Sequence, residues 1–318
     1  MGKSDNIKNE LMIDIAKKYY LDGMSQDEIA KKLHMSRSNI SRMLAKATES
    51  GVVQISIKDN RTLHSDVAYR ISKKYGLKDT IIIPTHSEHE RIYRHAGESI
   101  VDYLDGILEN GSLVGACGGK TNFYVSKMMH NSKGIKVDVV QIEGCTENSM
   151  PNTDGYLITN DLAKRLNGIP YVLPYPLTVK SQELRDMLLS EPMCRQIISK
   201  YDNIDVALLE INTLQVRISS QLRDKWLSEA DALQLREVDA VASVCGHCLD
   251  IRGKPCNVGI NERKISISIE QLRRVPLVIG TGVGINMLES TLSILRSKLL
   301  DVLVVDEALA HNIDTYLR

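Results

Sequence analysis

Eight short apolar runs constrain the fold of this 318-residue chain more than any other feature. From Lys78 onward they read DTIIIP, SLVGACG, VDVVQIEG, IPYVLPY, DVALLEI, VASVCG, PLVIGTG and DVLVVDE. Runs this short and this continuously apolar suit strands buried on both faces. Helical patterns lie between several of them, over residues 90–108, 121–129, 154–166, 182–189, 285–297 and 307–317. Strands alternating with helices predict a doubly wound α/β domain, a parallel sheet covered on both sides, over 78–318. Aromatic residues make up only 4% of the chain, so its core must be aliphatic.

The first 58 residues follow a different pattern. Leu11, Ile15, Ala16 and Tyr19 fall at helical spacing, and Asp22-Gly23 ends that helix. Ser25 with Glu28 forms a capping box for a second helix, Gln26 to Leu33. His34-Met35 makes a short turn, and Ser36 caps a third helix that Gly51 stops. VVQISIK then alternates as a strand. Helix, helix, turn, helix, strand is the order of a winged helix-turn-helix. The third helix turns Ile40, Met43, Leu44 and Ala47 inward. Its other face carries Ser38, Arg42, Ala45 and Lys46, with Arg37 and Asn39 at the first turn. Residues 36–46 hold three basic side chains and no acidic one. Arg can donate two bonds to a guanine edge and Asn can pair with adenine, while a capped helix start suits a phosphate oxygen. The alternative is a small helical bundle with a solvated basic face. Residues 59–77 are expected to be a linker and connecting helix, with Leu63, Val67 and Ile71 on one side.

Global charge adds little, since Lys+Arg and Asp+Glu both number 40. The N-terminus lacks the apolar region of a signal peptide, and no apolar run reaches membrane-span length, so a cytoplasmic protein with no membrane partner is expected. Its six cysteines are then expected to be reduced. Residues 245–248, CGHC, with Cys256 nearby, could serve a redox enzyme, a metal or thiol sensor, or simple packing. No helix pattern starts there to lower a thiol pKa, as an oxidoreductase needs. If the segment is a strand, Cys245 and His247 point one way and Cys248 the other, which opposes a disulfide or a two-thiol chelate.

Ligands of doubly wound sheets bind beyond the carboxyl ends of the strands. There, Gly118-Gly119 leads from a strand into a helix whose first turn holds Lys120 and Thr121. Backbone N–H groups, a hydroxyl and an ammonium suit a phosphate. Gly282 and Gly284 make a second, weaker glycine turn. Either turn could also be a tight strand-to-helix connection.

The ordered set of these pieces resembles the SorC family of bacterial sugar-operon regulators, from about Leu11 to Leu317. It rests on IAKKYYLDGMSQDEIAKKLHMSRSNISRMLAKATESGVVQISI, then GACGGKTN, VVQIEG, VLPYPLTVKSQELRDMLLSEP, NIDVALLEI, CLDIRGKPC and VIGTGVGIN. The resemblance implies a DNA-binding unit joined to a Rossmann-like effector domain related to sugar-phosphate isomerases. It implies a dimer or tetramer, a double-stranded palindromic operator as partner and a phosphorylated sugar as effector, with no other cofactor and no metal. By position, Tyr19, Tyr20, Gln26, Arg37 and Arg42 face DNA, and Gly119, Lys120 and Thr121 face the phosphate. The chain departs from the family at Gly144-Cys145, at Glu210-Ile211-Asn212, at Ser243 and at Met287. These departures imply altered affinity or ligand choice, and His247 could replace a lost pocket donor. Rival readings are a sugar-phosphate enzyme with an accessory DNA-binding unit, a sensor using CGHC, and a second domain that serves assembly alone. No convincing pair of catalytic carboxylates is evident at the expected strand ends.

Overall fold

The computed structural model describes residues 3–53, 62–146, 153–215 and 227–317. The chain divides into two compact units, residues 1–60 and 61–318.

The first unit packs α1 (Lys3–Tyr20), α2 (Gln26–Lys32) and α3 (Arg37–Glu49) around Ile15, Ile29, Ile40, Leu44 and Ala47. Both expected caps form. Ser25 Oγ accepts from Glu28 N at 3.3 Å while Glu28 Oε2 accepts from Ser25 N at 2.8 Å. Ser36 Oγ accepts from Asn39 N at 3.3 Å. His34 closes the turn between α2 and α3 with φ +52°. The wing strand expected over 52–58 lies, from residue 54, outside the described residues; Val53 packs on the helical core.

The second unit runs α4 (Thr62–Tyr75), β1 (Asp79–Ile83), α5 (His89–Ile107), β2 (Leu113–Ala116), α6 (Lys120–Met128), β3 (Asp138–Gln141), α7 (Gly155–Arg165) and β4 (Pro170–Tyr171). It continues through α8 (Gln182–Ser190), α9 (Pro192–Ile198), β5 (Val206–Glu210), β6 (Asn212–Thr213), α10 (Glu229–Glu237), β7 (Ala240–Val244) and β8 (His247–Asp250). It ends with α11 (Gly259–Glu262), α12 (Ile269–Leu272), β9 (Leu277–Gly282), α13 (Leu288–Ser297), β10 (Val302–Asp306) and α14 (Glu307–Leu317). Seven strands form one parallel sheet in the order β1-β10-β9-β5-β2-β3-β4.

Alternation along the strands feeds two apolar layers. Val206 and Leu208 join Ile100 and Leu104 of α5, Val125 of α6 and Ile158 of α7 on one face. Ala207 and Leu209 join Ile71 of α4, Leu295 of α13 and Ile313 of α14 on the other. This two-sided burial is why the strands read as unbroken apolar runs. The segment expected to connect the units contributes α4, which Arg70 ties to α14 through a two-pronged contact with the buried Asp314 carboxylate, at 2.6 and 2.8 Å.

One of the eight runs leaves the parallel sheet. VASVCG supplies β7 of a small antiparallel sheet, β6-β7-β8. CGHC is therefore not the one continuous strand expected: its first two residues turn the chain and its last two open β8. Val244 pairs with His247, and Cys245-Gly246 form the two-residue turn between them, at φ +46° and +71°. Two successive positive φ angles suit a tight hairpin whose twist matches its strands. The turn at Asp250–Gly253 follows β8, with Gly253 N donating to Asp250 O at 3.0 Å. No described helix is long and apolar enough to cross a membrane.

Candidate functional site

In the first unit, α3 presents its polar face as its apolar stripe requires. Ile40, Leu44 and Ala47 are buried, which leaves Arg37, Ser38, Arg42 and Lys46 exposed. Arg42 Nη2 donates to Asn39 Oδ1, one turn back on the same helix, so the guanidinium is held rather than trailing in solvent. Ser36 Oγ and Ser38 Oγ stand 3.3 Å apart at the helix start. Arg37 Nε lies 3.7 Å from Asp27 Oδ1, an exposed ion pair across the turn. Tyr19 is half-buried and Tyr20 exposed at the end of α1, their rings edge to face at 4.9 Å. Gln26 opens α2. The structure thus gathers Ser36, Arg37, Ser38, Asn39, Arg42 and Lys46 on one helix. Tyr19, Tyr20 and Gln26 lie on neighbouring helix ends.

In the second unit, the chain winds outward from β2 through β3 and β4 in one direction and through β5, β9 and β10 in the other. The carboxyl ends of β2 and β5 therefore flank the topological switch point, where such sheets leave a crevice. The turn Cys117–Thr121 leads there from β2 into α6, with Gly119 at φ +124° as its N-cap. A helix start exposes N–H groups that need acceptors. The four from Gly118 to Thr121 each have one within the chain. Gly118 N donates to Glu143 Oε1 at 2.8 Å, and Gly119 N to Thr153 O at 2.9 Å. Lys120 N and Thr121 N donate to Glu210 Oε1 and Oε2 at 3.2 and 3.0 Å. Gly119 is what lets Glu210 come this close, since a Cβ there would collide with its carboxylate.

Two carboxyl groups thus converge on one glycine turn, a pair that sequence reading did not find at the strand ends. Burial pushes Glu210 up to about 7 against the downward pull of the Thr121 and Lys120 N–H groups. Burial, with Glu210 and Asp154 nearby, pushes Glu143 up to about 7 as well. Both residues are half-buried. Burial and Glu210 raise the Tyr93 phenol to about 12, and Lys120 Nζ lies 5.0 Å from the Tyr93 ring centre. Thr121 and Thr281 are buried, and neither hydroxyl has a hydrogen-bond partner among the described residues. Thr281 sits directly opposite Glu210 in the β5–β9 ladder.

The other expected site residues divide. Asn212 follows Glu210, donates to its carbonyl at 3.3 Å and pairs with Ser243, which is buried in β7. Gly282 ends β9 against Thr291, where a Cβ would meet the hydroxyl. Gly284 N donates to Asp306 Oδ2. Gly144 lies against the backbone of Pro176–Leu177, too close for a side chain. Met287 packs against the large apolar core. His247 is buried; its Nε2 meets Ile267 O at 2.8 Å, and burial pushes its pKa down to about 3. Its ring is thus held against main chain.

The CGHC thiols are buried. Burial pushes Cys248 up to about 12 and Cys256 to about 11. Cys245 instead meets Cys117, at the end of β2; that hydrogen bond and burial hold the Cys117 thiol well above its ordinary range. No three His, Cys, Asp or Glu among the described residues are placed to hold a metal ion.

Comparison with known proteins finds two profile matches. A family profile described as "Putative sugar-binding domain" matches residues 60–313, and one for winged helix-turn-helix DNA-binding matches 22–54. The chain is 27% identical over 306 residues to the deoxyribonucleoside regulator of Bacillus subtilis, spanning 95% of this chain and 96% of that one. It is 26% identical over 314 residues to the sorbitol operon regulator of Klebsiella pneumoniae, spanning 98% of each. The crystal structure of that full-length regulator, SorC, superposes with a TM-score of 0.85 at 23% identity, over 96% of this chain and 98% of the other. At that identity the superposition speaks for the fold.

Proposed function

We propose, for a chain that belongs to the SorC family of sugar-operon transcription regulators, that it binds operator DNA through α3 and senses a small sugar or polyol in the β2/β5 crevice. The observation that carries the reading is the exposed face of α3. Arg42, braced by Asn39, stands with Ser38 and Lys46 on a capped helix whose opposite side buries Ile40, Leu44 and Ala47. A rigid helix with a held guanidinium can present two donors to a guanine edge, while Lys46 and the hydroxyls suit phosphates. The duplex partner is palindromic if the chain assembles as a symmetric oligomer. The crevice supplies the sensor, since its ligand can bias the DNA-binding units only by favouring one arrangement of them.

The test is operator affinity of the Arg42→Ala chain. A bidentate base contact predicts a loss of about 1–3 kcal/mol and relaxed preference at one base pair, whereas loss of a phosphate contact weakens all sequences alike. Unchanged affinity removes Arg42 from the interface. The convergence of Glu143 and Glu210 favours one second reading, a crevice that processes a sugar phosphate. Turnover of sugar phosphates by the purified chain would establish it. Both carboxyls already accept from main-chain N–H groups, which suits binding better than proton transfer.

A further inference from the structure

The turn from β2 into α6 has the parts of an anion site, and the chain has already filled it. Its four N–H groups are spent on Glu143, Thr153 and Glu210. A phosphate entering here would find no free main-chain donor. It would also meet two carboxyl groups, and the Lys120 ammonium lies over the Tyr93 ring. Like charges at close range in a partly desolvated crevice repel strongly. A hydroxyl group meets the opposite situation. Each carboxylate oxygen can accept more than one hydrogen bond, so both glutamates keep acceptor sites for O–H donors. Thr121, whose N–H binds Glu210, and Thr281, opposite Glu210 in the β5–β9 ladder, carry buried hydroxyls with no hydrogen-bond partner among the described residues. Buried polar atoms left in this state call for a ligand or water.

We infer that Glu210 is a built-in anion occupying the phosphate-suited turn, so that the crevice takes an uncharged polyhydroxyl ligand, a free sugar or polyol, and rejects its phosphate ester. This deepens the sensor reading of the second unit and rests on it. Glu210 is thereby the residue that sets ligand class. Gly119 is its accomplice, because any side chain at that position would push the carboxylate out.

The test compares the full-length wild-type chain with Glu210→Gly and Glu210→Gln, at about pH 8 so that both carboxyls are charged. Inorganic phosphate is titrated against chloride of equal ionic strength, and thermal stabilisation is read. Neutral polyols and their monophosphate esters are then compared in pairs. The inference expects no phosphate-specific stabilisation of the wild type and at least about tenfold tighter phosphate binding in Glu210→Gly. It expects the parent polyol to outbind its ester in the wild type and that order to reverse in the variant. Glu210→Gln, which keeps the shape and removes the charge, should gain phosphate binding even if the glycine variant folds poorly. Phosphate binding by the wild type, no gain in either variant, or esters outbinding their parent polyols in the wild type would each overturn it. Failure of the regulatory reading shows separately, as absence of sequence-selective DNA binding with the phosphate results unchanged.

Discussion

Glu210 ends β5 between a strand that ends in Gly282 and another that runs into Gly118-Gly119. At a glycine this position would leave the N–H groups of Lys120 and Thr121 facing the crevice. At glutamate it closes them, through contacts about 90 residues apart in the chain. The sequence marks Glu210-Ile211-Asn212 as a departure, but it cannot show which N–H groups the side chain reaches. The same limit hid Glu143, whose partner is Gly118. His247 shows the converse. Its residue type suggests a ligand donor, while the structure holds one of its ring nitrogens against Ile267 O. The two carboxyls also leave a signature in stability. A carboxyl raised from 4.5 to about 7 by folding holds its proton longer in the folded chain. Its contribution is therefore full below 4.5 and is lost as pH rises through about 7. Melting temperatures of wild type and Glu210→Gln across this range should show the wild type losing ground to the variant as pH rises. A difference that stays flat or grows with pH would refute the raised value.

At the scale of elements, local chemistry was readable where one segment contains the whole device. Ser25 with Glu28, and Ser36 before α3, carry their caps within four residues, and both form. The apolar runs identify the parallel strands because both faces of the sheet are covered. The hairpin at CGHC was not readable in this way. Its turn uses a cysteine at φ +46° where asparagine or aspartate usually signals the bend, and the tetrapeptide drew attention to redox chemistry instead. As a hairpin turn in the core, it predicts inert thiols. Native protein treated with a thiol reagent should leave Cys245, Cys248 and Cys256 unmodified until it unfolds, and DNA affinity should ignore chelators and mild oxidants. Rapid labelling of Cys248 in the folded chain would restore the sensor reading.

At the scale of the whole molecule, the two units answer different physical problems. Residues 1–60 build a small core and leave exposed a face of α3 that is basic and acid-free from Arg37 to Lys46. Residues 61–318 build a two-sided sheet in which Glu143 and Glu210 meet the glycine turn after β2. The order of the pieces was legible because each unit has its own periodicity. The character of the crevice was not, since it depends on which strands become neighbours. Sensing requires that the ligand favour one arrangement of the DNA-binding units over another, because equal affinity for both shifts nothing. The central claim is thus a coupling between a neutral ligand and DNA. It is tested most directly by measuring the affinity of the full-length chain for a duplex selected from a random pool, with and without each neutral polyol and its phosphate ester. The account predicts sequence-selective, salt-dependent binding that one neutral polyol changes and its ester does not. Binding without sequence preference, or a response to the ester alone, would contradict it.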